Sequence, residues 1–399
     1  MLENKHAYIG LTNIKFLKLL SIFTNRKHFI YKNLYTRPTS ILLLYRLIKW
    51  QRKATHTRKK LQEQGIIVPP FMAFSITSRC NLKCDGCYAQ AQHRSLEEEM
   101  TANQLRQVLV QARELGIATI LLLGGEPLVR REILSITQDF PEIFFLLLTN
   151  GLFLNESTIK KLKQQRNIVP LISLEGPEQE TNQRRGRGVF EHILNAMEIM
   201  NKHKIIFGTS ATITRKNFDI VVDEQFIKQL ITKGCFIIGY IEYLPVVEGT
   251  EDLRITVEQR KIKSNLIASF RKNYHGTAFI DLPSDEDAFG GCLFRGGGLI
   301  HVSSEGNLEP CVFFPMSDSN LKDMPLIEAL QSPLFKTLRK EEEQKNEAKR
   351  GCVLWENREW VNSVIRAKTG EEDNLKTGLC SLGKPELMSL KEPELKKIE

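Results

Sequence analysis

Phe71-Met72-Ala73-Phe74-Ser75-Ile76-Thr77-Ser78-Arg79-Cys80-Asn81-Leu82-Lys83-Cys84-Asp85-Gly86-Cys87-Tyr88 is the stretch on which the reading of this chain turns. Its first seven residues have the apolar, β-branched and aromatic character of a buried strand. Three cysteines follow at once as C-x3-C-x2-C. Eight cysteines in 399 residues give that fixed spacing by chance only about 0.003 times per chain, so coincidence is a poor account of it. Three thiolates on one short loop can hold three irons of a 4Fe-4S cluster and leave the fourth iron open, whereas a closed structural zinc site takes four ligands. A distant His or Cys as the fourth ligand keeps zinc as the alternative.

Downstream the chain alternates. Strand-like runs at Phe71–Thr77, Ala118–Leu123, Ile143–Thr149, Ile168–Leu174, Ile205–Thr214 and Cys235–Tyr243 are separated by helical stretches. The best marked helix opens with a capping box, Thr101 and Gln104. It continues through Leu105, Val108, Leu109, Ala112 and Leu115 at helical spacing, and stops at Gly116. The stretch Asp219 to Gly234 repeats that grammar. Near-continuous apolar strands alternating with helices predict an α/β fold with a parallel, helix-covered sheet. Six such units suit an open partial barrel and a doubly wound sheet equally, and pattern alone does not choose between them. Cys235, opening a strand, reads as a small buried apolar residue.

After about Asp281 comes a Gly-rich stretch, Gly290-Gly291 and Gly296 to Gly298. Two short strands follow, Leu299–Ser303 and Leu308–Phe314, around a turn at Glu305-Gly306-Asn307, the pattern of a β-hairpin in a second, smaller unit. The tail from Leu338 to Glu399 is highly charged and reads as helical in pieces. No internal repeat of fixed period is seen. The organisation expected is therefore a helical extension over 1–68, a core over 69–284 and a small α+β unit with the tail over 285–399.

A chain of 399 residues, 42% hydrophobic and 26% charged, exceeds one average domain and excludes wholesale disorder, a collagen-like chain or a coiled coil. Eight cysteines are too few for a disulfide scaffold of this length. With no signal peptide in view, reduced thiols in a cytoplasm are expected. The net charge of +9 is uneven, because residues 1–60 hold 14 Lys and Arg against the single acid Glu3 and the remaining residues are net acidic. No apolar run approaches the roughly 18 residues of a membrane span. On a helical wheel Arg46, Lys49, Arg52 and Lys53 share one sector, opposite Ile41, Leu43, Leu44, Leu47 and Ile48. Two readings stand side by side: peripheral attachment of residues 1–60 to an anionic membrane surface, and a basic helix packed on the body with its lysines in water. Nucleic acid is not the expected partner, since no reader motif accompanies the charge.

The cysteine loop resembles the signature of the radical S-adenosylmethionine (radical SAM) enzymes, and further matches follow in the family's order over roughly residues 70–245. Gly124-Gly125-Glu126-Pro127, after the second strand, is similar to the family's GGEP motif. Thr149-Asn150-Gly151 and Ser173-Leu174-Glu175-Gly176-Pro177, at the ends of the third and fourth strands, are also similar. Arg185 lies where related enzymes often present a basic group to the SAM carboxylate. On their own, Gly124 and Gly125 read as a tight turn, Ser173 as a partner of strand-edge backbone and Arg185 as a solvated charge. The family commonly has an aromatic residue before the third cysteine, to lie against adenine, and here that position is Gly86, which leaves Tyr88 or a neighbouring loop to do it.

The resemblance implies a partial (β/α)6 TIM-like barrel. It implies a 4Fe-4S cluster on Cys80, Cys84 and Cys87 and SAM contacts from Tyr88, Gly124, Gly125, Glu126, Asn150, Ser173 and Arg185. It also implies one-electron cleavage of SAM to a 5'-deoxyadenosyl radical that takes a hydrogen atom from substrate, with the electron coming from a flavodoxin- or ferredoxin-like donor. The cofactor would carry the chemistry while the protein ligates, orients and excludes water.

Cys292, thirteen residues, Gly306, four residues and Cys311 resemble the opening of the SPASM and twitch extensions that house auxiliary clusters. The dense C-x2-C-x5-C-x3-C block of full SPASM domains is absent, and only Cys352 and Cys380 remain. This implies one auxiliary 4Fe-4S cluster on Cys292, Cys311 and Cys352, with Cys380 as the weaker fourth. The function expected is a radical SAM oxidoreductase or ligase acting on a small or membrane-associated molecule. The alternatives are a maturase of a ribosomally made peptide and, in another class, a non-catalytic iron–sulfur or zinc protein. No catalytic base is assigned; Tyr243, Glu242 and His301 could face the site or simply pack.

Overall fold

The computed structural model describes residues 39–289, 292–293, 297–340 and 352; Cys380 and most of the basic N-terminal stretch lie outside them. The six apolar runs form β1 (Phe71–Thr77), β2 (Thr119–Gly124), β3 (Phe144–Thr149), β4 (Ile168–Ser173), β5 (Gly208–Ile213) and β6 (Ile237–Glu242). The first helices are α1 (Thr39–Glu63), α2 (Tyr88–Ala91), α3 (Ala102–Leu115), α4 (Ile133–Gln138) and α5 (Glu156–Gln164). After them come α6 (Glu178–Arg185), α7 (Val189–Lys202), α8 (Phe218–Val221), α9 (Glu224–Thr232) and α10 (Val257–Asn273).

Sheet order decides what pattern left open. With β7 (Ala278–Leu282), β8 (Leu299–Val302) and β9 (Leu308–Glu309), the strands run β7-β6-β5-β4-β3-β2-β1-β8-β9, and every ladder from β1 to β7 is parallel. Each of these strands lies beside its sequence neighbour, so the chain never reverses its winding as a doubly wound sheet must. Crossovers of one hand then stack the helices on one face. On that outer face Met72, Phe74, Ile120, Leu122, Phe145 and Ile172 pack with helix residues such as Leu105, Val108, Ile159, Ile193 and Ile227. The other face carries a separate apolar cluster of strand residues, Leu146, Val169, Leu171, Ile237 and Ala278, flanked by Leu121, Leu148 and Ile280. This is an open, partial barrel with an outer helix layer and an inner, concave lining.

Local chemistry sets the element ends. Thr101 caps α3 with both halves of the box in place, and Gly116 closes it at φ 83, a left-handed turn that suits glycine. The helix expected over Asp219 to Gly234 is broken in two. The Asp223 carboxylate accepts from Gln225 N at 2.9 Å and Phe226 N at 3.0 Å, starting α9 afresh.

Two findings go beyond the sequence reading. A seventh parallel strand, β7 (Ala278–Leu282), extends the sheet beside β6. The C-terminal hairpin does not stand apart: β8 (Leu299–Val302) pairs parallel with β1, and β9 (Leu308–Glu309) pairs antiparallel with β8. β9 is far shorter than the expected Leu308–Phe314, because Pro310 has no N–H for the ladder.

Helix α1 packs on the body along one face. Gln51 Nε2 donates to Ala118 O at 3.2 Å and Thr119 Oγ1 at 3.0 Å, Ala54 is buried, and Arg58 donates to Gly116 O. Arg46, Lys49, Arg52, Lys53, Lys59 and Lys60 are exposed. Among the described residues no helix is long and apolar enough to cross a membrane.

Candidate active site

Strand ends in a parallel barrel share one mouth, and the cysteine loop leaves β1 there. Its seat is made by close approach of β2. A Cβ on Gly124 would fall 2.3 Å from Thr77 O, and one on Gly125 would fall 2.2 Å from Arg79 O and 2.7 Å from Ser78 O. With no side chain there, Gly125 N reaches Thr77 O and Glu126 N reaches Arg79 O, both at 2.8 Å. The two glycines therefore do more than turn: they let one loop lie on the other.

Glu126 fastens β2 to β3. Its carboxylate accepts from Asn150 N at 2.7 Å, Thr149 Oγ1 at 2.8 Å and Leu128 N at 3.0 Å, and it is 1% exposed. Burial pushes its pKa up to about 7 against the pull of those donors. The carboxylate expected to meet SAM thus holds two loop ends together. Asn150, so positioned, donates to Asn81 Oδ1 at 2.8 Å and lies 3.9 Å from Cys80 Sγ.

On the other side of the loop, Glu175 accepts from Arg184 at 2.7 Å and from Arg185 Nε at 2.9 Å, and its second oxygen takes Thr212 N at 2.9 Å. Burial pushes Glu175 upward, but the charges of Arg184 and Arg185 outweigh it and hold the carboxyl below its ordinary range. Arg185 is therefore no solvated charge. Its guanidinium is fixed with Nη1 3.9 Å from Cys84 Sγ. Arg184 Nε donates to Asp85 O at 3.1 Å, and its own carbonyl accepts from Asp85 N at 3.1 Å. Ser173 ends β4 in the inward phase of Leu171, opposite Ser210 of β5.

Cys80 and Cys84 resist ionisation. Burial raises Cys80 to about 11, with Glu126, Cys84 and Cys87 adding negative potential, and burial likewise raises Cys84 although Arg185 pulls it down. Thiols that oppose one another's charge fit a polynuclear cation that replaces their protons. Among the described residues no three His, Cys, Asp or Glu side chains gather round one point as a single-ion site. Cys235 is buried with its thiol raised to about 12, in line with a packing role.

The ring of Tyr88, expected against adenine, packs edge-to-face on Phe313 at 5.4 Å, because α2 turns it toward the hairpin. Gln92 Nε2 donates to Val312 O at 2.7 Å in the same contact. Nearby, Cys311 is buried and its thiol is pushed well up, first by burial and then by the charges of Cys352 and Cys292. Cys292 and Cys352 thus lie near enough for their charges to act on Cys311; Cys380 lies outside the described residues.

A polar chain ties β1 to the C-terminal hairpin, and of its members the sequence reading had named only His301. Ser75 Oγ lies 2.7 Å from His301 Nε2, His301 Nδ1 lies 2.8 Å from Glu309 Oε2, and Arg94 Nη2 reaches both Glu309 oxygens at 2.8 Å. Ser75 and His301 share the inner face, since Ala73 pairs with both Leu121 and His301. A Ser and a His at the inward phase of otherwise apolar strands were the available signal. Glu242, by contrast, turns to the helix side, paired with Lys263 at 2.6 Å and Arg260 at 2.7 Å.

Residues 74–219 match the model of the radical SAM superfamily. An AdoMet-dependent heme synthase of Methanosarcina barkeri is 24% identical over 306 residues, covering 69% of this chain and 86% of that protein. The sporulation killing factor maturation protein SkfB of Bacillus subtilis is 26% identical over 274 residues, 67% of this chain and 64% of that protein. The fold is also that of Streptococcus suis SuiB, in a crystal structure bound to precursor peptide SuiA, with a TM-score of 0.58 at 18% identity over 72% of this chain and 70% of that one. A family of enzymes built on a 4Fe-4S cluster and SAM thus matches the stretch that carries the braced cysteine loop, and residues 74–219 of this chain are a radical SAM domain.

Proposed function

We propose that Cys80, Cys84 and Cys87 hold the catalytic 4Fe-4S cluster and that SAM lies over it across the ends of β2 to β5. The observation that carries this reading is the seat of the loop, closed onto Gly124 and Gly125 at backbone contact and held from the sides by Asn150 and Arg184. Bound there, the cluster and SAM supply one-electron cleavage of the carbon–sulfur bond and hydrogen-atom abstraction from substrate. The chain's own part is to fix the thiols, to place the Arg185 cation beside Cys84, and to present the apolar inner face of the sheet as a water-poor chamber. Gly124, Gly125, Asn150, Ser173 and Arg185 border the SAM site in this reading, and Glu126 acts by holding Asn150.

Residues 69–284 form the catalytic unit in this proposal, and 285–399 form an auxiliary unit joined to it through β8. Cys292, Cys311 and Cys352 would hold a second cluster, with Cys380 as the fourth ligand; the mutual effect of the three thiols supports this. The exposed basic stripe on α1 would meet anionic lipid headgroups. A second substrate reading, maturation of a peptide, is favoured by the likeness in fold to SuiB, whose structure holds a precursor peptide.

The test is anaerobic reconstitution with iron and sulfide, reduction in the presence of SAM, and chromatography for 5'-deoxyadenosine. Reductant-dependent 5'-deoxyadenosine is expected. Fully loaded, folded protein that leaves SAM intact would mean a non-catalytic iron–sulfur scaffold.

A further inference from the structure

Strand β6 carries a glycine that the fold does not call for. Gly239 sits inside the strand, where glycine is unfavourable, and its φ is not in the left-handed region. Among the described residues, a Cβ built on it would meet only Thr209 O at 3.4 Å and Ser210 Cα at 3.9 Å, which are ordinary contacts. Gly208 on β5 is different. A Cβ there would strike Ile237 O at 2.4 Å and Leu171 Cδ2 at 2.9 Å, so packing requires that glycine. A strand glycine that neither backbone nor neighbours explain marks a place where a ligand comes close.

The register places Gly239 in a row. It pairs with Ser210 of β5 and Ile280 of β7, and Ser210 pairs with Ser173 of β4. This row faces the inner side, in the phase of Ile237 and Ala278 and one step nearer the mouth. Ser210 is 8% exposed, and its hydroxyl has no hydrogen-bond partner among the described residues. Ile241, Ile280 and Leu282 stay partly exposed on the same side. From Val169 on β4 to Leu282 on β7, no inward residue of the strands is ionisable. His301, inward on β8, is fully buried with its two nitrogens committed to Ser75 and Glu309. A charged ligand group would lose its water here and find no counter-ion.

We propose that Gly239 and Ser210 form the seat for a substrate group that is uncharged and mainly apolar. Its body lies over Gly239 against Ile241 and Ile280, and a neutral polar atom on it bonds the Ser210 hydroxyl. The proposal rests on the radical SAM reading above and adds to it the chemical class that the chamber receives.

The experiment titrates the reconstituted full-length chain with N-phenyl-1-naphthylamine, an uncharged apolar fluorophore, and then adds competitors. 1-Octanol should displace it at a concentration at least about tenfold lower than octanoate or octylamine. Gly239→Val should weaken fluorophore binding about 5- to 150-fold, as filling an occupied space does, while unfolding in urea at the wild-type midpoint or above it. Ser210→Ala should weaken octanol about 2- to 12-fold. Displacement by N-acetylleucinamide and not by octanol assigns the group to a peptide side chain, and the reverse assigns it to a hydrocarbon chain; either result upholds the class. Fluorophore binding unchanged in Gly239→Val overturns the proposal. So does a marked fall in that variant's urea midpoint, since the glycine would then serve the fold, and so do charged competitors that match octanol. A wild type with a Gly239-dependent fluorophore site that leaves SAM intact instead contradicts the catalytic reading.

Discussion

Gly125→Ala probes the seat of the cysteine loop by the smallest change available. The new methyl would sit 2.2 Å from Arg79 O, 2.6 Å from Arg79 C and 2.7 Å from Ser78 O, all backbone atoms that no rotamer can move aside. Ordinary contact begins near 3.4 Å, so the strand end and the loop must separate by about 1.2 Å. Overpacking of this kind costs about 1–3 kcal/mol. The separation also breaks Gly125 N to Thr77 O and Glu126 N to Arg79 O, each worth about 0.5–1.5 kcal/mol. A total loss of about 2–6 kcal/mol is expected, read from urea unfolding of the apoprotein followed by circular dichroism. Because Arg79 adjoins Cys80, the same displacement should lower iron retained on the loop after reconstitution. Stability within about 0.5 kcal/mol of the wild type, with iron loading intact, would refute the claim that these glycines are there for close approach.

Glu126 gives a pH signature. Its carboxyl titrates near 7 when folded against 4.5 ordinarily. The native state therefore holds a proton across that window that the unfolded chain has released. The stability from this group is full below about 4.5 and is lost as pH rises through 7, by about 3 kcal/mol. Glu126→Gln, neutral throughout, should remove that slope from urea midpoints compared at pH 5 and pH 8; parallel curves for the two proteins would contradict the assignment. For the basic face of α1, co-sedimentation with phosphatidylglycerol vesicles should exceed that with phosphatidylcholine, should fall with salt and should drop in Lys49→Glu/Lys53→Glu/Lys60→Glu. Binding indifferent to lipid charge would dismiss the membrane reading.

Much of the barrel was legible because its strands are near-continuous apolar runs and its helices carry strong end signals, as at Thr101, Gln104 and Gly116. The winding came from the family likeness alone, because periodicity reports which residues are buried and not which strand lies beside which. β7 escaped notice since five residues between Thr277 and Pro283, with Asp281 among them, make a weak apolar signal. The two-part helix around Asp223 looked continuous because a cap inside an amphipathic run does not interrupt its periodicity. At the site, the cysteines, the glycine pair and Arg185 announced themselves by spacing and family likeness. The partners that hold them were silent, because Glu175 with Arg185, Ser75 with His301 and Gly86 with Tyr243 are separated in sequence and meet only when the sheet curls. The partner of Tyr88 was silent for the same reason: Phe313 is more than two hundred residues away.

Changing Cys80, Cys84 and Cys87 together to Ala and assaying iron and 5'-deoxyadenosine in the same anaerobic preparation bears most directly on the chemistry. The wild type should hold two clusters' worth of iron and cleave SAM when reduced. The variant should keep about four irons, on the C-terminal cysteines, and form no 5'-deoxyadenosine. SAM cleavage that survives in the variant would contradict the assignment of the catalytic cluster to this loop, and an iron count near zero would contradict the second cluster.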